Sequence, residues 1–298
     1  MRLIFDGVVL AACLALVVAG MAAPAIQQAS PPLSHDQAVA LAERAISNQH
    51  LDDTAAETFE RIERETVQRA NGAVVEDKTY RVVPTGTGTL RLLLKDGGTP
   101  VTAAAYAQEL RDWIGALEDS LRTNDLAMKP VFDKAEKRRQ ERASLVDATR
   151  QAYLVTWQGR ETIDGRTTIR LGLKLNPQFH ARNISEEVLT HVRAIIWVDE
   201  GSGHLARGQA EIISDISIGA GILGKIYRGG KITLEQEEIS PGVWLPRTYR
   251  YDFSGRKFLF PFELHRIVHT SGYRKLGSAS ETLAIAQQEL KEGKPPLS

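Results

Sequence analysis

The chain has 298 residues, and its 37 Lys and Arg balance its 37 Asp and Glu, so nothing in the overall charge points to nucleic acid or an anionic membrane as the main partner. A hydrophobic content of 43% with 25% charged residues is that of a globular protein with a core. The length accommodates one large β-rich domain or two ordinary ones.

The N-terminus reads as a secretory signal. Arg2 supplies a short positive region, Val8 to Val18 an apolar stretch, and Ala23-Pro24-Ala25 a small-residue cleavage site, with Gly20-Met21-Ala22 as an earlier alternative. The apolar run is short for spanning a bilayer, which favours cleavage over an uncleaved anchor. The single cysteine, Cys13, lies in this segment, and Leu10-Ala11-Ala12-Cys13 offers lipidation as a second possibility. Cleavage after Ala25 would leave a mature protein without cysteine, hence without disulfides or thiolate metal ligands. The expected compartment is the periplasm, with an envelope-anchored lipoprotein as the alternative.

A Pro/Ser/Gln-rich leader runs from Ile26 to Leu33. Ser34-His35-Asp36-Gln37 then has capping-box spacing, and Val39, Ala42 and Ile46, flanked by Leu41 and Ala45, predict a helix with one apolar stripe. Thr58 to Gln68 reads as a strand or a charged helix. Asn71-Gly72 before VVEDKTYRVVP favours a hairpin with a type I′ turn. Leu90, Leu92 and Leu94 share one face of a strand over Thr89 to Lys95. Two helices follow. Thr102 to Arg122 aligns Tyr106, Leu110, Trp113, Leu117 and Leu121, and Met128 to Arg150 carries the run KAEKRRQER, which reads first as a solvated face.

From Tyr153 the pattern is β. Tyr153, Val155 and Trp157 alternate, Asp164-Gly165 turns the chain, and Ile169, Leu171, Leu173 and Leu175 follow on one face. A connector, helical around Glu186-Glu187, leads to a strand at 192–198. Asp199 to Gly203 is a strand-to-strand loop and no phosphate cradle, because no helix N-terminus follows it. Further strands are expected at 205–213, 222–228, 231–239 and 243–253. Tyr249, Tyr251 and Phe253 share a face, and beyond Ser254-Gly255 the residues Phe258, Phe260, Phe262 and Leu264 line another stretch. The segment after Gly277 reads as a loosely attached tail with a short helix over Glu281 to Leu290.

Catalytic signals are weak. His265 and His269 are four apart on a strand, too far to chelate, and no Cys/His cluster accompanies them. No G-x-S-x-G elbow occurs. The reading is therefore a non-enzyme with no metal or cofactor. The aromatic faces are either core or the lining of a cavity opened by a curled, incompletely closed sheet.

IWVDEGSGHLAR (196–207), GKIYRGGKITLEQEEI (224–239) and SPGVWLPRTYRYDFSGR (240–256), with YRKL near the end, resemble the bacterial outer-membrane lipoprotein-sorting (LolA/LolB-like) superfamily, which includes RseB/MucB-like domains. The carriers of the likeness are Trp197 and Asp199 ending one strand and Trp244 and Pro246 opening another. The resemblance implies a mainly β (α+β) fold, a curled antiparallel sheet forming an unclosed β-barrel with covering helices. It divides the chain into a signal peptide (1–25), a single half-barrel domain (26–276) with a helical insertion at about 102–150, and a flexible tail (277–298). The implied function is a periplasmic carrier, a soluble monomer holding lipid or lipoprotein acyl chains, with Leu171, Leu173, Tyr249, Tyr251, Phe253, Phe258, Phe260 and Phe262 as the lipid-binding residues. The alternative is an envelope sensor or assembly module with a filled core, whose partner protein meets the charged helix at Arg138, Arg139 and Arg142.

Overall fold

The computed structural model describes residues 31–122, 124–218 and 223–293. The signal segment, its cleavage sites and Cys13 lie outside the described residues. Five helices and thirteen strands are described: α1 (His35–Ala56), β1 (Phe59–Gln68), β2 (Val74–Pro84), β3 (Thr89–Asp96), β4 (Thr99–Pro100), α2 (Ala103–Leu121), α3 (Lys129–Ala152), β5 (Tyr153–Ile163), β6 (Arg166–Leu175), α4 (Ile184–Thr190), β7 (Val192–Asp199), β8 (Leu205–Ile212), β9 (Ile216–Ile218), β10 (Gly224–Ile226), β11 (Lys231–Ser240), β12 (Val243–Lys257), β13 (Phe260–Lys275) and α5 (Ala279–Glu292). The main strand order is β4-β3-β2-β1-β13-β12-β11-β8-β7-β6-β5, with β9 and β10 branching from β12. Its ends, β4 and β5, do not pair, so the mainly β, antiparallel, unclosed sheet expected from the sequence is the one observed. The residues fall into two compact units, one of residues up to Leu51 with Arg142–Leu264, the other of Asp52–Glu141 with 265 onward.

In the first unit, α1 begins with the predicted capping box: the Gln37 amide donates to Ser34 Oγ at 3.2 Å, and the Ser34 amide donates to Gln37 Oε1 at 2.9 Å. Its buried stripe is Ala38, Ala42 and Ala45, rotated by about one residue from the expected Val39, Ala42 and Ile46. Small side chains there let the helix backbone approach the sheet closely. Arg44 and Asn48 donate to the carbonyls of Gly201 and Ser202, so α1 is also tied to the β7–β8 loop.

Turn chemistry differs from expectation at one hairpin. The type I′ conformation occurs at Asp164-Gly165, where both residues have positive φ (48° and 78°). At Asn71-Gly72 only Gly72 does (82°). There the Gly72 amide donates to Arg69 O and the Arg69 amide to Ala73 O, which makes a three-residue loop ending in a left-handed glycine. The Asn71 side chain accepts from the Ala73 amide and stabilises that longer loop.

In the second unit, α2 carries Thr102 as N-cap and buries Tyr106, Leu110, Trp113, Ile114 and Leu117, while the expected Leu121 is exposed. These residues pack with Val83, Leu92, Leu94 and Ala286. Ala286 belongs to α5, which has its own capping box at Ser278 and Glu281 and ends at Gly293 in the left-handed conformation. The segment after Gly277 is thus a docked helix through Glu292, not a loose tail. Arg81, only 2% exposed on the core face of β2, donates to Glu60 (2.8 Å), Glu289 (2.8 Å) and Tyr106 Oη (2.9 Å). Tyr106 Oη in turn donates to Glu289 at 2.6 Å, and Arg274 pairs with Glu60. A buried charge is stable only when neutralised and hydrogen-bonded in this way.

On α3, Arg138 donates to Thr87 O, and Arg139 pairs with Glu57 and donates to Gly86 O. Two of the three arginines assigned to a partner surface are therefore engaged by the chain itself.

Candidate functional site

Strand register in the first unit defines a single apolar face. Val155 and Trp157 of β5 oppose Leu173 and Leu171 of β6. Leu171 opposes Ile196, and Ile169 opposes Val198. Ala194 and Val192 of β7 oppose Ala210 and Ile212 of β8. Ala210 opposes Ile232 of β11, which opposes Tyr251 of β12, and Leu234 opposes Tyr249. Because side chains alternate across a strand, these residues all project to the same side.

Two clusters cover this face. At the β5–β8 end, Ile169, Leu171, Ile196 and Val198 pack against the α1 alanines, with Val155, Trp157 and Leu173 half-buried beside them. At the β11–β13 end, Ile232, Leu234 and Phe253 pack with Val188 of α4, Ile216 of β9 and Ile226 of β10, and Tyr249, Tyr251, Phe262 and Leu264 border them half-buried. The Tyr249 and Tyr251 rings stack with centroids 6.1 Å apart, and Phe253 meets Phe262 edge-to-face.

The eight predicted residues are thus distributed three ways. Leu171 is fully buried and Leu173 half-buried under α1. Tyr249, Tyr251, Phe253 and Phe262 come together at the other end of the face. Phe258 and Phe260 leave the face altogether: Phe258 is a turn residue and Phe260 begins β13, and both are exposed at the end of the hairpin. The strand expected to run through 258 instead turns there. Val155, Trp157, Ile196, Ile232 and Leu234 also belong to the face and were missed as site residues. The signal for them was the same alternation, but it needed the cross-strand register to align.

A depression of about 420 Å³ lies in the second unit at Val74–Lys78, Asp96 and Gly97. His265 and His269 sit opposite Gln68 and Arg64 in the β1–β13 register. Among the described residues there is no group of three or more His, Cys, Asp or Glu placed to hold a metal ion.

The tryptophan motifs occupy defined positions. Trp197 points away from the apolar face and is nonetheless 1% exposed, with Arg170 and Arg207 guanidinium carbons 5.5 and 5.7 Å from its ring, and its indole donates to Glu161 at 2.8 Å. Trp244 stacks on His204 with ring centroids 5.8 Å apart and lies 4.9 Å below Arg166. Arg166 donates to Asp199 at 2.8 Å and to Glu238 at 2.9 Å, and Asp199 also accepts from the Ser202 amide at 2.7 Å. Burial opposes ionisation of Asp199, but the Arg166 and Ser202 bonds outweigh it and hold the carboxyl below its ordinary range. The arrangement closes the β5–β6, β7–β8 and β11–β12 turns onto one another.

No family model matches the chain, and no curated protein matches it in sequence. Solved structures do match. One is a putative outer membrane lipoprotein-sorting protein domain from Vibrio parahaemolyticus (8% identity, covering 83% of this chain and 99% of that chain, TM-score 0.31). Another is a LolA superfamily protein from Nitrosomonas europaea (12% identity, 81% and 94%, TM-score 0.31). A third is a DUF1329 family protein from Desulfovibrio piger (13% identity, 80% and 92%, TM-score 0.30).

Proposed function

We propose that this chain is a cell-envelope protein that binds lipid or lipoprotein acyl chains on the apolar face of its first unit, and that it works in the periplasm after export through residues 1–25. The observation that carries this reading is the continuity of the face from Trp157 to Tyr251, with Tyr249, Tyr251 and Phe262 at its aromatic end only half-buried around the buried Phe253. The receiving residues are Tyr249, Tyr251, Phe253 and Phe262 first, and Leu171 and Leu173 once α1 moves. No helix among the described residues is long and apolar enough to cross a membrane.

The cover supplied by α1 is shallow. It meets the face mainly through the methyls of Ala38, Ala42 and Ala45, each contributing about 0.8 kcal/mol of burial, with Leu41 half-buried beside them, whereas an acyl chain of about a dozen methylenes would contribute roughly 10 kcal/mol gross. Exchange of the helix for a lipid chain over Ile169, Leu171 and Ile196 is therefore energetically accessible, and it would also break the Arg44 and Asn48 bonds to the β7–β8 loop and the His50–Asp147 and Arg150–Ser47 bonds to α3.

Titration with a fluorescent fatty acid tests the proposal. Saturable binding that is weakened about tenfold in a Tyr249→Ser/Tyr251→Ser variant supports it, a loss of about 1.4 kcal/mol; absence of binding by the wild type contradicts it.

A second reading, a sensor or assembly module acting by protein–protein contact over a filled core, is favoured by the complete burial of Leu171 beneath α1. It predicts a protein partner and no lipid uptake. With Arg138 and Arg139 held by Thr87, Gly86 and Glu57, the exposed remainder of α3 would be the partner surface.

A further inference from the structure

The end of the β12–β13 hairpin is apolar and exposed. Leu259 is 87% exposed, Phe260 76% and Phe258 46%, and Leu223, 53% exposed, is held beside them by the bond from the Phe258 amide to its carbonyl (3.2 Å). The pairing of Gly224 with Lys257 fixes the same neighbourhood. Large apolar side chains collected at one exposed spot on a soluble unit mark an interaction site.

The backbone is strained to present them. Phe258 has φ +54°, a left-handed conformation that glycine adopts without cost and a bulky side chain rarely does. Arg256 donates to Phe258 O at 2.7 Å and braces the turn. An ordinary hairpin would place Gly or Asn at that position, and this chain places an aromatic there.

We infer that this tip docks the protein on a lipid bilayer, with Phe258, Leu259 and Phe260 entering the interfacial region and Lys257 meeting anionic headgroups. The tip is convex and two residues long, and four side chains offer less than the roughly 800 Å² per partner of a stable protein interface. Aromatic and aliphatic residues with adjacent cations are the composition of interfacial insertion. Arg256 and Lys257 lead directly into the turn, while the nearest carboxylates on the hairpin, Asp252 and Glu263, lie further down the strands. The inference is independent of the lipid-binding face: it concerns where the protein sits, and the face concerns what it holds.

The test is a local one on the full chain. With Cys13→Ser as background, an environment-sensitive nitrobenzoxadiazole label is placed at Leu259→Cys, and at Ile184→Cys, an exposed α4 position, as control. Vesicles of phosphatidylcholine with phosphatidylglycerol should raise and blue-shift the emission at 259 by at least about twofold and leave 184 unchanged, whatever residues 1–30 do. Adding Phe260→Asp should abolish the rise, with the circular dichroism unaltered and free fatty-acid uptake unchanged. The inference is overturned if 259 does not respond, if 184 responds equally, or if Phe260→Asp has no effect. A response at 259 to protein concentration alone would assign the tip to a contact between copies and overturn it as well.

Discussion

Arg166 holds its guanidinium 4.9 Å from the centre of the Trp244 ring while donating to Asp199 at 2.8 Å. One side chain thereby joins the two motifs, Trp197-Val198-Asp199 and Trp244-Leu245-Pro246, that carry the family resemblance in the sequence. They act as clasps between strand ends.

Arg166→Ala should destabilise the protein by about 1–3 kcal/mol, the cost of leaving the buried Asp199 carboxylate without its charged donor. The half-exposed Glu238 pair adds little to that cost, as surface pairs do. Urea unfolding followed by tryptophan fluorescence reads the change directly, and an unchanged midpoint would show that Ser202 alone satisfies Asp199.

The same clasp predicts an acid dependence. Because the folded-state pKa of Asp199 is depressed, its stabilisation is fully present above the unfolded value of about 3.9 and is lost as pH falls through the folded value. Stability measured below pH 4 should fall less steeply in Asp199→Asn than in the wild type. Equal slopes would remove Asp199 from the account.

In the second unit, Arg81→Ala should cost about 3–5 kcal/mol, because it strands Glu60 and Glu289 without their buried cation and frees α5. Hydrogen exchange at α5 amides should accelerate with the loss of stability. Exchange confined to its wild-type rate would mean that the apolar packing of Ala286 alone holds the helix.

Two glycines should separate strain from space. Gly165→Ala meets no neighbour within 4 Å and suffers only the left-handed backbone, about 1 kcal/mol. Gly255→Ala would place a methyl 2.3 Å from Lys225 O and 2.9 Å from the Phe262 ring, so it should cost more and shift the aromatic end of the face. Thermal melts of the two variants give the order directly.

What could be read from the sequence was what is local. The capping box at Ser34 and Gln37, the Tyr106–Leu117 stripe and the Ile169–Leu173 alternation depend on neighbours a few residues away, and each is present in the structure. Trp197 was legible as a marker but not as a side chain enclosed by Arg170 and Arg207, since those contacts arise only from the β6–β7–β8 register. The docking of α5 was illegible for the same reason: Glu289 meets Arg81 across 208 residues of sequence. Phe258 and Phe260 continued the aromatic alternation on paper, and only the position of the turn removes them from the face. The stripe of α1 was misplaced by one residue because alanines weigh little in a hydrophobic pattern, although close packing favours them.

The central claim is that the apolar face takes up acyl chains. Native mass spectrometry of the protein purified without detergent tests it most directly. The account predicts masses raised by bound lipid, stripped by organic extraction, and a reduced bound fraction in the Tyr249→Ser/Tyr251→Ser variant. A wild-type protein that is uniformly lipid-free, and that stays so after incubation with excess fatty acid, would contradict it.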